Sequence, residues 1–236
     1  MAADTDICNL ALGFLGDVAN VISINPPEPS AQAEYCAKFY PIARDQLLNM
    51  HNWGFATRRT LPGSIAVPTE AGAWQFAYIA PADCLTVTRV YDPTQTSDFV
   101  TTIPQPFDQS VISPNVPNMS STGADIGAIV PQEFVVETDA NGNDIIYTNQ
   151  AGAAISYTAK VTDTTKFSPS FVVALATLLA SFLAGPIIKG TDGIKMAQAM
   201  MKAFQGPGGA LGIATASDAN ERRINMASTT PWMVNR

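Results

Sequence analysis

The spacing of apolar positions predicts two helices in the first fifty residues. A cap at Asp4 or Thr5 opens a first apolar stripe at helical spacing, which stops before the loop "NPPEP". Ser30 caps a second stripe that continues to about Met50. Pro41 lies inside this second helix, and because proline removes a backbone donor we expect a kink or a break into two pieces there.

Beyond the second helix the period changes to two, which is typical of strands. "WQFAYI", residues 85–91 and "AAISYTAKV" alternate as strands do, and "EFVVETDANGNDIIYT" predicts a hairpin closed near Asn141 and Gly142. Residues 92–133 contain six prolines, five serines, five threonines and no Lys or Arg. This composition favours irregular loops or edge strands there over a long regular sheet.

Helical spacing returns at Ser168 or Ser170 and predicts three helices, separated at "GPIIKGTDG" and "GPGG" and ending near Arg223. The sequence therefore predicts an α+β chain, with a helical bundle built from both chain ends and a β-rich middle domain. Its predicted parts are the amino-terminal helices (1–52), the β-rich domain (53–167), the carboxy-terminal helices (168–225) and an extended carboxy-terminal arm (226–236).

One predicted helix resembles a membrane span by its length. Residues 171–188 carry no charge, and this length is near the lower limit for crossing a bilayer. The stretch is diluted with Ala, Ser and Thr, and Gly185 and Pro186 interrupt it before it would cross. We therefore expect a buried helix of the bundle and no membrane partner.

Composition and charge narrow the function classes. The 236 residues are 47% hydrophobic and 14% charged, which predicts a globular protein with a sizeable core. "MAADTDICNL" has acids where a signal peptide needs a basic region, so we expect assembly in a cytoplasm. The net charge is −7, and the segment from Asp92 to Asp163 has nine acids against one base. A basic groove for nucleic acid is not indicated, because phosphate binding needs clustered Lys and Arg.

Candidate catalytic residues are few. His51, the only histidine, follows a helix end, where an imidazole can satisfy free backbone carbonyls. A Cys-His nucleophilic site could use Cys8, Cys36 or Cys84, but no local sequence resembles a nucleophile turn. We interpret all three cysteines as reduced core thiols. One histidine and widely spaced cysteines also argue against a metal site, so we expect no catalytic residue, metal or cofactor.

Two loops and one arginine pair have non-catalytic interpretations. "DANGND" has the alternating oxygen donors of a calcium loop, but Asp144 replaces the required glycine and Gln150 replaces the bidentate carboxylate. A hairpin turn is favoured instead. "GPGGALG" lacks nucleotide-binding spacings and is interpreted as a helix break. Arg58 and Arg59 are interpreted as surface or subunit-contact charges.

Three stretches carry a resemblance to a known family. They are "YCAKFYPIARDQLLNMHNWGFATRRTLP", "GAWQFAYIAPADCLTVTRVY" and "DANERRINMASTTPWMVNR". The chain resembles the head-to-tail adaptor proteins of short-tailed phages, known as tail tubular protein A. The most specific part is the "YPIARDQLL" helix followed by "WGFATRR", and the similarity covers both helical ends and parts of the middle.

The resemblance implies a virion structural protein at the head-to-tail junction. Such a protein forms a ring, usually a dodecamer, between the portal protein and the tail nozzle protein, and double-stranded DNA passes through the lumen without specific binding. The resemblance also implies that His51, Trp53 and Phe55 form a structural corner rather than an active site. The alternative function is a small phage-associated hydrolase with an unrecognised site.

The last residues are expected to form a portal-binding arm. Helical spacing ends near Arg223, and Pro231 then favours extended chain. Trp232 and Met233 are common anchors at protein interfaces, and Arg236 adds a polar contact. The alternative is an arm that is folded back on its own helices or frayed.

Overall fold

The computed structural model describes residues 2–18, 20–68, 72–93 and 132–221. The chain contains both helix and sheet, so the predicted α+β class is confirmed. It divides into two compact units. The helical unit comprises Met1–Thr57 and Lys160–Arg236, and the sheet unit comprises Arg58–Ala159.

The helical unit contains five helices within its described residues. They are α1 (Asp4–Phe14), α2 (Ala31–Met50), α3 (Pro169–Ile188), α4 (Gly190–Gln205) and α5 (Ala210–Glu221), with a short 3-10 turn at Thr164–Lys166. Helix α3 contacts each of the other four, so it is the centre of the unit. The break between α4 and α5 falls at "GPGG", as the sequence predicts.

Helix α3 is the most apolar element of the chain. Within the described residues it is the one helix that is long and apolar enough to cross a membrane by length and composition. Eleven of its residues are buried, including Phe171, Leu175 and Leu179. The prediction of a buried helix at this position is therefore confirmed.

Two helices begin at the N-cap residue predicted from the sequence, and one begins at a different residue. Ser30 Oγ accepts the N–H of Ala33 at 3.2 Å, and Ser168 Oγ accepts the N–H of Phe171 at 3.3 Å. The cap of α1 is Ala3, so the predicted cap at Asp4 or Thr5 is wrong. The N–H of Ala3 donates to Asp6 Oδ2 at 2.8 Å, and this bond fixes the first turn one residue earlier.

The predicted break of α2 at Pro41 is wrong, because α2 continues through the proline. Tyr40, Ala43 and Leu47 are buried on both sides of it, while Pro41 itself is exposed. Proline cannot donate a backbone hydrogen bond, and the packing of the flanking turns stabilises the helix at this position instead.

The connection between α3 and α4 is shorter than the sequence predicts. Helix α3 runs through Gly185 and Pro186, and Lys189 alone separates it from α4. Lys189 has a φ of 61°, a backbone region that favours glycine. A single residue in an unfavourable conformation therefore makes this turn.

The sheet unit contains seven short strands within its described residues. They are β1 (Thr57–Thr60), β2 (Ser64–Ile65), β3 (Phe76–Ile79), β4 (Cys84–Tyr91), β5 (Phe134–Thr138), β6 (Asp144–Thr148) and β7 (Ala154–Ala159). One sheet has the order β1-β7-β4 and the other β2-β3-β6-β5. Side chains of both sheets, among them Tyr78, Val90, Ile146 and Ile155, share one buried core. Strands β1 and β2 were not predicted, since "TRRT" and "SI" show no apolar alternation.

The predicted hairpin is confirmed by strands β5 and β6, which pair antiparallel with Val135 opposite Tyr147. The Asp139 carboxylate accepts the N–H groups of Asn141 and Asn143 at 2.9 and 2.8 Å. The hydrogen bonds from Asn143 and Asn141 lower the pKa of Asp139. Its oxygens therefore close a turn, as the hairpin interpretation of "DANGND" requires.

The units divide at 57/58 and 159/160, whereas the sequence placed the domain boundaries at 52/53 and 167/168. The difference has a packing cause. Trp53, Phe55 and Phe167 each contact the ring of Phe171 on α3. Aromatic contacts thus assign the chain on both sides of the sheet unit to the helical unit.

Two glycines in helices make a matched stability test. A Cβ at Gly193 of α4 would lie 3.0 Å from the carbonyl oxygen of Ala184, whereas at Gly212 of α5 it would meet nothing within 4 Å. We expect Gly212→Ala to raise stability by about 1 kcal/mol through helix propensity. Gly193→Ala should lower the melting temperature, because α3 and α4 must separate. Equal stabilisation by both substitutions, measured by thermal unfolding, would contradict this close approach.

Candidate functional site

The chain turns sharply after α2, and Trp53 is the centre of that turn. The indole is fully buried, and its Nε1 donates to the carbonyl of Leu47 at 2.8 Å. The Trp53 carbonyl in turn accepts the N–H groups of Ala56 and Thr57 at 3.1 and 2.9 Å. Trp53 therefore connects the last turns of α2 to the start of β1. We call residues 51–55 and the side chains that contact them the Trp53 corner.

Aromatic rings from three segments pack in this corner. Phe171 of α3 meets the ring of Trp53 edge to face at 4.9 Å between centroids and that of Phe55 at 5.0 Å. Phe167, just before α3, lies 4.7 Å from Phe171 and 5.6 Å from Phe55. Edge-to-face and tilted pairs at these separations are favourable beyond their burial. The start of α3 and the turn after α2 are thereby held together.

A buried carboxylate completes the corner. Asp218 of α5 is 3% exposed, and its Oδ1 accepts the N–H of Gly54 at 2.7 Å. Its Oδ2 lies 3.2 Å from Nε2 of His51, whose ring also contacts the edge of Trp53 at 4.9 Å. Within the described residues, the imidazole thus contacts a carboxylate of α5, whereas the sequence suggested the backbone carbonyls of the helix end. Through Asp218 the turn after α2 is connected to α5.

The three residues of the predicted structural corner therefore lie together, and Asp218 is the residue that sequence reasoning missed. Its signal was faint: Asp218 is one of two acids in "ALGIATASDANE" and lies four residues after Ala214, which is buried. Spacing by four places the two side chains on one face of α5.

A His-Asp pair also occurs in hydrolase triads, where the carboxylate orients the imidazole toward a nucleophile. Within the described residues, the side-chain hydrogen bond of His51 is to Asp218. Cys8 of α1 and Cys36 of α2, two candidate nucleophiles, are fully buried. The third, Cys84, lies at the start of β4. No nucleophile is therefore placed on the imidazole by the part of the chain that the structure describes.

The three thiols differ in their surroundings. Cys8 and Cys36 are buried as expected, and the hydrogen bond to Cys36, with burial, raises the pKa of the Cys8 thiol. Cys84 is a free thiol that is only partly buried, and it packs against the core of the sheet unit. It lines a depression of about 200 Å³ together with Leu85 and Asp144. Burial, followed by the charges of Asp144 and Asp83, raises the pKa of Cys84 to about 11.

The sheet unit also contains an ion pair, between Arg58 and Asp83. The distance between their charged groups is 2.5 Å, and the Tyr157 hydroxyl donates to the same carboxylate at 3.0 Å. Burial and the hydrogen bond to Asp83 raise the pKa of Tyr157. Among the described residues there is no cluster of three or more metal-binding side chains.

Several predicted features lie outside the described residues. They are most of the segment 92–133 and the carboxy-terminal arm with Pro231, Trp232, Met233 and Arg236.

A scan against models of known protein families finds no match to the chain. No curated protein matches it either.

Substitutions at Asp218 and His51 should differ in their effect on stability. Asp218→Ala removes the acceptor for Gly54 and the partner of His51, so we expect a loss of about 1–3 kcal/mol in the free energy of unfolding. His51→Gln keeps a donor and its side chain is 31% exposed, so the loss should stay within about 1 kcal/mol. Asp218→Asn, which keeps an acceptor, should fall between them. Urea unfolding measures all three, and equal losses would contradict the role of Asp218.

Alkylation of Cys84 should report its raised pKa. Only the thiolate reacts, so the rate with iodoacetamide should rise about tenfold per pH unit from pH 8 towards pH 10. Asp144→Asn removes a charge that raises this pKa and should therefore label faster at pH 8. Peptide-resolved mass spectrometry separates Cys84 from the buried thiols. A rate that levels off near pH 8 would contradict the environment described.

Proposed function

We propose that the chain is a virion structural protein without catalytic activity, a head-to-tail adaptor. Its ring joins the portal to the tail nozzle at the head-to-tail junction and forms part of the DNA channel. The helical unit acts in it as a bundle built from both chain ends.

The observation that carries this proposal is the position of the resembling residues. "YPIARDQLL" and "WGFATRR", the stretches most similar to the adaptor family, form the end of α2 and the Trp53 corner. Ala43, Leu47 and Trp53 within them are fully buried. Residues that specify a folded corner are what a scaffold shares with its relatives, whereas an enzyme would share exposed reactive groups.

The charge distribution also supports passage of DNA without binding. Residues 132–159 of the sheet unit carry four acids and no Lys or Arg. An acidic surface repels phosphate and does not hold a duplex by counterion release. The hydrolase alternative has no such support, because the side-chain hydrogen bond of His51 within the described residues is to Asp218 and not to a nucleophile.

Assembly of the purified full-length chain tests the proposal. We expect a species with the mass of a dodecamer of the 25.0 kDa chain in analytical ultracentrifugation. It should co-sediment with rings of its portal protein, and quantitative mass spectrometry of virions should find it at a fixed, high ratio to portal. A few copies per virion, or none, would refute an adaptor.

Two variants separate the parts of this function. Removal of residues 226–236, the proposed portal arm, should abolish co-sedimentation with portal and leave the melting temperature nearly unchanged. His51→Gln should assemble and bind portal like the wild type, because the proposed role of His51 is structural. Loss of infectivity in a correctly assembled, DNA-filled His51→Gln particle would indicate a chemical role.

A further inference from the structure

One face of β5 is apolar in the middle and acidic at both ends. Glu133, which precedes β5, and Val135 and Glu137 within it are spaced by two along extended chain, so their side chains lie on the same face, opposite that of Phe134 and Val136. Val135 is 39% exposed and pairs with the buried Tyr147 of β6. On this face Ala77, Ile145 and Tyr147 form a cluster that Ile65, Val67 and Trp74 help to cover. Val135 extends that apolar surface to the sheet edge, between two carboxylates.

The outward face of α4 has the complementary pattern. Its inner side is buried at Gly193 and Phe204. Outward, the pair Ile194-Lys195 is followed seven residues later by Met201-Lys202, so an apolar group beside a lysine occurs twice along one side. Ile194 is 60% exposed and the Lys195 side chain 76% exposed. Lys195 has a weak partner in Asp192 at 3.4 Å, also exposed.

The two surfaces match in spacing as well as in charge. Glu133 and Glu137 are separated by about 13 Å in an extended strand. Lys195 and Lys202 are separated by about 10 Å along the helix, and their flexible side chains cover the difference. Val135 would then lie between the lysines, against the apolar side chains of α4.

We propose that the β5 face of one copy docks on the α4 face of the next copy in the ring. The occupant of each surface is thus a second copy of this chain. Two different surfaces in contact make a head-to-tail interface, which is the kind that closes into a ring of many subunits. Charge complementarity determines how the second copy is oriented, and the apolar groups between the ion pairs supply the buried area. This inference rests on the proposed adaptor function and identifies its subunit contact.

Charge exchange tests the contact in the full-length protein. Lys195→Glu with Lys202→Glu, and separately Glu133→Lys with Glu137→Lys, should each weaken ring assembly at least about tenfold in concentration, because like charges then face each other. The four substitutions together should restore assembly. Lys38→Glu with Lys166→Glu, on exposed lysines of α2 and of the 3-10 turn, makes the same change in net charge as the Lys195 and Lys202 pair and should assemble like the wild type.

Analytical ultracentrifugation measures assembly, and thermal unfolding verifies that every variant is folded. Rings that persist in either charge-reversed variant overturn the proposed contact between β5 and α4. They do not contradict the adaptor function, since the ring would then form through other surfaces. Failure of the combined variant to assemble while folded also overturns it. A wild-type chain that stays monomeric at every concentration overturns both the contact and the proposed ring.

Discussion

An uncharged helix of twenty residues is stable in water only if other parts of the protein cover it, and the rest of the helical unit depends on covering α3. Helices from both ends of the chain contact it. Helices α1 and α2 precede the sheet unit in sequence, whereas α4 and α5 follow α3 directly. In sequence, the sheet unit therefore lies between two helices that contact α3 and α3 itself.

The Trp53 corner follows from the same requirement. The turn that follows α2 and the residues just before α3 both contact the ring of Phe171. Large aromatic rings fill the space where the backbone changes direction. The buried carboxylate of Asp218 is tolerated because a backbone N–H and an imidazole both contact it. The buried contacts of Asp218 favour one orientation of α5, because hydrogen bonds are more directional than apolar packing.

The sequence predicted the elements whose signal is local. Ser30 and Ser168 cap helices through bonds within three residues, and the Asn-Gly hairpin depends on its own turn. Its errors arose where distant contacts decided the outcome. Pro41 predicts a kink or a break into two pieces. No break occurs, because burial of Tyr40 and Ala43 stabilises α2 on both sides of the proline. Asp218 could not be assigned because its partners are more than 160 residues away in sequence.

Charge has a different role in the two units, and this difference bears on assembly. Among the described residues of the helical unit, the buried charged side chains are Arg44, which pairs with Asp45, and Asp218, which contacts His51, so its stability depends mainly on apolar packing. The sheet unit carries exposed acids, among them Glu133 and Glu137. Copies with the same net charge attract each other where opposite charges meet locally, and the lysines of α4 provide such a place. In the proposed contact, opposite charges on two different faces favour directional association over unspecific aggregation.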